Sequence, residues 1–210
     1  MSEGMTTPKI KLCGLSRPED IEAANRLKPE YIGFVLWDKS KRKVDRDRAK
    51  ELKKALDPQI QAVGVFVDES IDRIAELLTE GIIDIAQLHG HEDETYIKEL
   101  KARTDKPIIK AFQVKNQDDI IKAMDSSADM VLLDSGQGTG NTFDWELLKE
   151  AGRPFFLAGG LNLSNVEQAL SKISPYAVDV SSGIETDGVK DHDKMQRFVN
   201  IVRNTRKEKS

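Results

Sequence analysis

Eight short apolar runs, rich in β-branched residues, recur at nearly even spacing along the 210 residues, and this rhythm restricts the fold more than any other feature. The runs are KIKLC (9–13), YIGFVL (31–36), QAVGVFV (61–67), IDIAQLH (83–89), PIIKAFQV (107–114), MVLLDS (130–135), PFFLAGG (154–160) and AVDVSSG (177–183). Several are apolar at successive positions, as strands covered on both faces must be. Between them lie charged segments of helical period. Met195, Phe198, Val199 and Val202 fall at i, i+3, i+4 and i+7, and Ile71, Ile74, Leu77 and Leu78 form a similar stripe. Ser16 with Glu19, and Ser164 with Glu167, have capping-box spacing. A sixth, short helix is expected after FDW.

Eight strand–helix units in this length admit an open doubly wound sheet or a closed barrel. No G-x-G-x-x-G follows the first strand and nothing divides the chain into halves, so an α/β (β/α)8 TIM barrel of eight parallel strands is expected. Residues 1–210 read as a single domain, with 1–8 and 203–210 as loose ends. The 32 basic and 36 acidic residues leave a net charge of −4, which argues against a nucleic-acid-binding surface. No stretch approaches the roughly 20 apolar residues that cross a bilayer. A lone cysteine and a polar N-terminus then point to a soluble, cytoplasmic protein.

In such a barrel the chemistry sits at the C-terminal ends of the strands. There the apolar pattern is interrupted again and again: Cys13 ends the first run, His89 the fourth and Asp134 the sixth. AGG, with Gly159 and Gly160, ends the seventh, and DVSSG, with Ser182 and Gly183, the eighth. Loops after strands seven and eight of this fold often hold a phosphate, and glycines let backbone N–H groups approach an anion. A helix after strand eight, or a short turn at GIET, would aim its positive end there. Lys39, Lys41, Arg42 and Lys43 crowd the loop after strand two, where an arginine can fork onto a ligand carboxylate. Arg46, Arg48 and Lys50 read as a solvated helix face, and His91 and His192 as surface histidines. DSGQGTGNTFDW (134–145) is glycine-rich and reads as a flap over a ligand, hinged at Asp134. No H-x-x-x-H, C-x-x-C or paired-carboxylate spacing points to a metal.

KLCGLSRPED, GFVLWDKSKRKV, VGVFVD, QLHG, KAFQV, LLDSGQGTGNTFDW, FFLAGGLNLSNV and AVDVSSGIETDGVKD together resemble phosphoribosylanthranilate isomerases, in that family's order and over residues 9 to 202. The resemblance implies a barrel of the phosphate-binding type and a cofactor-free Amadori rearrangement in tryptophan biosynthesis. N-(5-phosphoribosyl)anthranilate would become 1-(o-carboxyphenylamino)-1-deoxyribulose 5-phosphate. By the same resemblance Cys13 is the general base, Asp134 the general acid, and Arg42 the partner of the anthranilate carboxylate. His89 lines the site, Gly159, Gly160, Ser182 and Gly183 form the phosphate loops, and Asp179 is structural. The implied partner is a small phosphorylated substrate, with no cofactor and no metal, and the chain a monomer or homodimer. The alternatives are a non-catalytic sensor of a phosphorylated ligand and a histidine-pathway sugar isomerase. One departure stands out: where the family commonly has proline before KSKR, this chain has Asp38 after Trp37, a carboxylate beside the anion-binding loop.

Overall fold

Each apolar run forms a strand: β1 Lys9–Cys13, β2 Tyr31–Val35, β3 Gln61–Phe66, β4 Ile85–Leu88, β5 Ile108–Gln113, β6 Met130–Asp134, β7 Phe155–Ala158 and β8 Ala177–Val180. The computed structural model describes residues 7–135 and 145–205. All eight strands pair in parallel in chain order, and β8 returns to β1 from Lys9↔Ala177 to Leu12↔Val180, closing the barrel. Closure is possible because every strand carries an apolar outer face for a helix to cover. The helices are α1 Pro18–Leu27, α2 Arg46–Ala55, α3 Ile71–Thr79, α4 Glu94–Lys101, α5 Gln117–Met124, α6 Val166–Lys172 and α7 His192–Asn204.

The strand pleat sorts side chains with a period of two. On β1, Ile10 and Leu12 point outward and pack in one continuous core with the stripes of the helices, such as Ile74 and Leu77 of α3 and Phe198 and Val202 of α7. A second cluster, including Val63, Ile85, Ile109, Leu132 and Phe156, fills the barrel interior. At the N-terminal end Phe156 packs against Tyr31 in a tilted pair and against Tyr176 edge to face, with ring centroids 5.3 and 5.7 Å apart. Lys9 Nζ donates to Tyr176 Oη at 2.6 Å. That end is therefore plugged by aromatics, and the interior opens at the C-terminal end.

Local details depart from expectation. The segment Trp145–Glu150 is a 3-10 helix, not an α-helix. Six residues give little return on nucleating an α-helix, and Pro154 disfavours helical backbone at Arg153 just beyond. At α1 the capping carboxylate is Asp20, not Glu19: it accepts from Ser16 N at 3.2 Å and Arg17 N at 3.1 Å. Its other oxygen faces His192 Nε2 at 3.1 Å, so His192, still partly exposed at the surface, is also the partner of a buried aspartate. His91 is exposed. Ser164 does not cap α6: its hydroxyl donates to Asn162 Oδ1 at 2.6 Å, and the helix begins behind Asn165. Arg46 and Lys50 pair mainly across to Glu80 after α3 rather than along their own helix. α7 runs on to Asn204, past the expected start of the tail.

After β8 a single turn forms, with Ile184 N donating to Ser181 O at 3.4 Å and Glu185 N to Ser182 O at 3.1 Å. It then leads into a hairpin, β9 Glu185–Thr186 and β10 Val189–Lys190, and not into a helix. The hairpin turns at Asp187 and Gly188, with φ of 53° and 79°, the left-handed pair that an Asp-Gly sequence favours. Among the described residues no helix is long and apolar enough to cross a membrane.

Candidate active site

The C-terminal mouth of the barrel opens into a cavity of about 480 Å³ that all eight strands help to line, from Cys13 on β1 to Asp179 on β8. Cys13, Arg42, His89, Asp134, Gly159, Gly160 and Ser182 all line it. Gly183 stands behind the wall: a Cβ there would collide with the carbonyl of Leu161. Of the proposed flap, 134–145, residues 136–144 lie outside the described residues.

Cys13 is 8% exposed, at the inward-facing end of β1. It reaches the cavity over Gly33 of β2, where a Cβ would lie 2.6 Å from the sulfur. Burial pushes the thiol pKa up; the Lys11 and Lys190 ammoniums pull against this, and the Asp179 carboxylate adds to it. Asp134 ends β6, in register with Gln113 of β5 and Ala158 of β7. His89 Nε2 faces Asp134 Oδ2 at 3.6 Å. Gln87, two residues earlier on the same strand face, sets its amide nitrogen 3.0 Å from His89 Nδ1. The loop carrying His89 is pinned by buried Glu92. Its carboxylate accepts from Asp68 N and Gly90 N and pairs with Lys110 at 2.8 Å.

The two glycine loops meet as expected. Gly159 and Gly160 have φ of 95° and 63°, a left-handed backbone that side chains resist. A Cβ on Gly159 would lie 2.6 Å from Asp134 Oδ1. Asn162 and Asn165 amides both donate to Gly160 O at 3.0 Å, and Asn162 pairs with Gly183 across the loops.

Arg42 lies in the cavity wall, with its fork already engaged. Nε and Nη2 donate to Glu185 Oε1 and Oε2 at 2.6 and 2.7 Å, and Lys190 Nζ donates to Oε1 at 2.6 Å. Hydrogen bonding to Glu185 raises the pKa of Arg42. Burial pushes the Glu185 carboxyl up, but Arg42 and Lys190 outweigh it and hold it below the ordinary range. Asp38 turns away from this cluster: it is exposed and pairs with Lys43 at 3.0 Å, while Trp37 lines the cavity. The carboxylate unexpected in this loop is thus spent on a lysine at the surface.

Sequence reasoning missed Lys11, Gln87, Glu185 and Lys190. The first two carried a signal: each lies two residues before a strand-end site residue, and period two puts them on the same inner face. Glu185 and Lys190 had none, since a hairpin was not foreseen. Among the described residues no group of three His, Cys, Asp or Glu is placed to hold a metal ion.

Known proteins agree on one family. A family model described as N-(5'phosphoribosyl)anthranilate (PRA) isomerase matches residues 10–201. An N-(5'-phosphoribosyl)anthranilate isomerase of Endomicrobium trichonymphae is 49% identical over 201 residues, 93% of this chain and 98% of that one. The crystal structure of phosphoribosyl anthranilate isomerase from Thermotoga maritima superposes with a TM-score of 0.86 at 33% identity, covering 94% of this chain and 99% of that one. A second solved structure, of a phosphoribosyl anthranilate isomerase in complex with reduced 1-(o-carboxyphenylamino)-1-deoxyribulose 5-phosphate, has a TM-score of 0.84 at the same 33% identity and the same coverage. With near-complete coverage in both directions and the strand-end residues gathered at one mouth, the chain belongs to the N-(5'-phosphoribosyl)anthranilate isomerase family.

Proposed function

We propose that this protein converts N-(5-phosphoribosyl)anthranilate to 1-(o-carboxyphenylamino)-1-deoxyribulose 5-phosphate by an Amadori rearrangement, a step of tryptophan biosynthesis. The observation that carries the reading is one cavity shared by the thiol of β1, the carboxyl group of β6, the glycine loops after β7 and β8, and Arg42. Asp134 gives a proton to the ring oxygen as the C1–O bond breaks, and the anthranilate nitrogen becomes an iminium. The Cys13 thiolate takes the C2 proton, which neutralises the iminium and leaves an enolamine. Moving the proton of the C2 hydroxyl to C1 then gives the ketone. One proton is given and one is taken, so substrate and product are isomers.

The supporting chain geometry is specific. β1 and β6 are separated around the ring by β7 and β8, which supports an acid and a base acting from different sides of the sugar. Gly159, Gly160, Ser182 and Gly183 take the phosphate, anchoring the end of the substrate away from the aromatic ring. Arg42 meets the anthranilate carboxylate with the donors that Glu185 leaves. His89 lines the site beside Asp134, with Nε2 3.6 Å from Oδ2. The reading places the enzyme in the cytoplasm, acting on a small phosphorylated substrate as a monomer or homodimer.

The test follows the fluorescence of the anthranilate-containing substrate with purified protein and no added metal or cofactor. Loss of substrate with formation of the ketose product is expected. Saturable binding with no turnover would instead make the barrel a sensor. A second prediction comes from the strand-two glycine: Gly33→Ala puts a Cβ 2.6 Å from the present sulfur position, too close for both to stay. The sulfur must rotate off its line to C2, and kcat is expected to fall about tenfold or more, since small misplacements of a reacting group are costly. An unchanged kcat in a folded Gly33→Ala protein would remove Cys13 from the reacting geometry.

A further inference from the structure

Below Cys13 the barrel interior holds a charge that the proton transfers above do not use. Lys11 precedes Cys13 by two residues on β1, so both side chains point inward. It is 0% exposed. An ammonium in such a place is costly unless paired, and its partner is Asp179, its register neighbour on β8, at 2.9 Å. Two apolar residues would fill the same space without the desolvation cost of a buried ion pair, so packing alone does not account for the arrangement. The ammonium has three donors and Asp179 Oδ2 takes one. The Cys13 sulfur, two residues on along the same inner face of β1, is a further group that favours the charged ammonium. Asp179 itself lines the cavity beside Cys13.

We propose that Lys11 is a positioning residue for the isomerisation: its buried ammonium, fixed by Asp179, lies under the Cys13 sulfur and steadies the thiolate that takes the C2 proton. The inference rests on the reading of Cys13 as general base. The thiol releases its own proton to solvent before the reaction, Lys11 stays an ammonium throughout, and the thiolate accepts the C2 proton. Four charged groups face the sulfur. Lys11 on the same strand, Lys190 of the hairpin and Arg42 of the loop after β2, itself held by Glu185, favour the thiolate; Asp179 on β8 opposes it. Burial also opposes it, and Lys11 is the strongest of the charges acting on it.

The chain contains one cysteine, so thiolate absorbance and alkylation by iodoacetamide report on Cys13 alone, without substrate. Both are followed against pH in native protein, in Lys11→Met and in Lys11→Met/Asp179→Leu. The double replacement removes both charges and leaves no buried carboxylate without its cation, so it is the version built to fold. The midpoint of the titration is expected to rise by about one unit or more in folded Lys11→Met, and by less in the double variant, where Asp179, which opposes the thiolate, is removed with Lys11. In the same proteins kcat at neutral pH falls about tenfold and recovers as pH rises, while KM holds. A midpoint unchanged from native in the folded double variant would overturn the proposal. If the midpoint moves but Cys13→Ser turns over normally, the base assignment fails, and the role of Lys11 in the reaction falls with it.

Discussion

Cys13→Ser is expected to lower kcat by at least about 10²-fold with little change in KM, the low end of what a positioned general base contributes. That loss corresponds to about 2.7 kcal/mol of transition-state stabilisation. Serine keeps nearly the shape of the side chain, so the room above Gly33 and the pairing of β1 with β2 and β8 are preserved. What changes is acidity: a hydroxyl yields almost no anion near neutrality, whereas a thiol titrates near about 8.5 in free form. The pH profile carries the second half of the prediction. Burial pushes the Cys13 thiol up, and only the deprotonated form accepts a proton. Log kcat/KM should therefore climb with pH through the neutral range and level only once the raised thiol pKa is passed. That limb should vanish in Cys13→Ser. Steady-state assays by substrate fluorescence across pH decide both points, and near-normal turnover in the variant would end the role assigned to the sulfur.

Asp134→Asn is the other large effect, again a fall in kcat of at least about 10²-fold. The amide matches the carboxyl group in size, so the tight approach of Gly159 and the β5–β6–β7 register tolerate it. It cannot hand a proton to the ring oxygen. Without that proton the C1–O bond must break to an alkoxide, and ring opening becomes the slow step. Substrate should still bind, because the phosphate loops and Arg42 are untouched, so kcat and kcat/KM fall together. A variant that opens the ring at the native rate would move the acid elsewhere. His89 is then the neighbour to examine, standing 3.6 Å from the carboxylate.

The two effects rest on residues the sequence already singled out, and the reason is local. A strand end is marked by where an apolar run stops, and a polar side chain there is visible without knowing what surrounds it. Cys13, His89 and Asp134 were legible in this way. The glycine pairs were too, since a backbone that must take φ of 95° and 63° excludes other residues. Arg42 was legible only as one cation among four in its loop, because charge says nothing of direction; exposed Lys39, Lys41 and Lys43 carry the same sign. The 3-10 segment and the hairpin after β8 were misread or unseen, as short elements depend on their surroundings more than on their own propensities.

The alternation of eight strand-forming runs with striped helices narrowed the fold to an open sheet or a closed barrel and marked the strand ends where polar residues interrupt the apolar runs. Both follow from short-range periodicities of the chain and from the need to cover both strand faces. Which charges meet was decided only by the tertiary structure. Lys11 finds Asp179 across 168 residues, and Arg42 finds Glu185 across 143. These contacts exist because β8 closes on β1 in one register and a hairpin folds back over the mouth. A slip of one residue at that closure would turn Asp179 to the outer face and leave the Lys11 ammonium buried without a counter-charge. The partners of the cysteine are thus a property of ring closure, which no local stretch of sequence encodes.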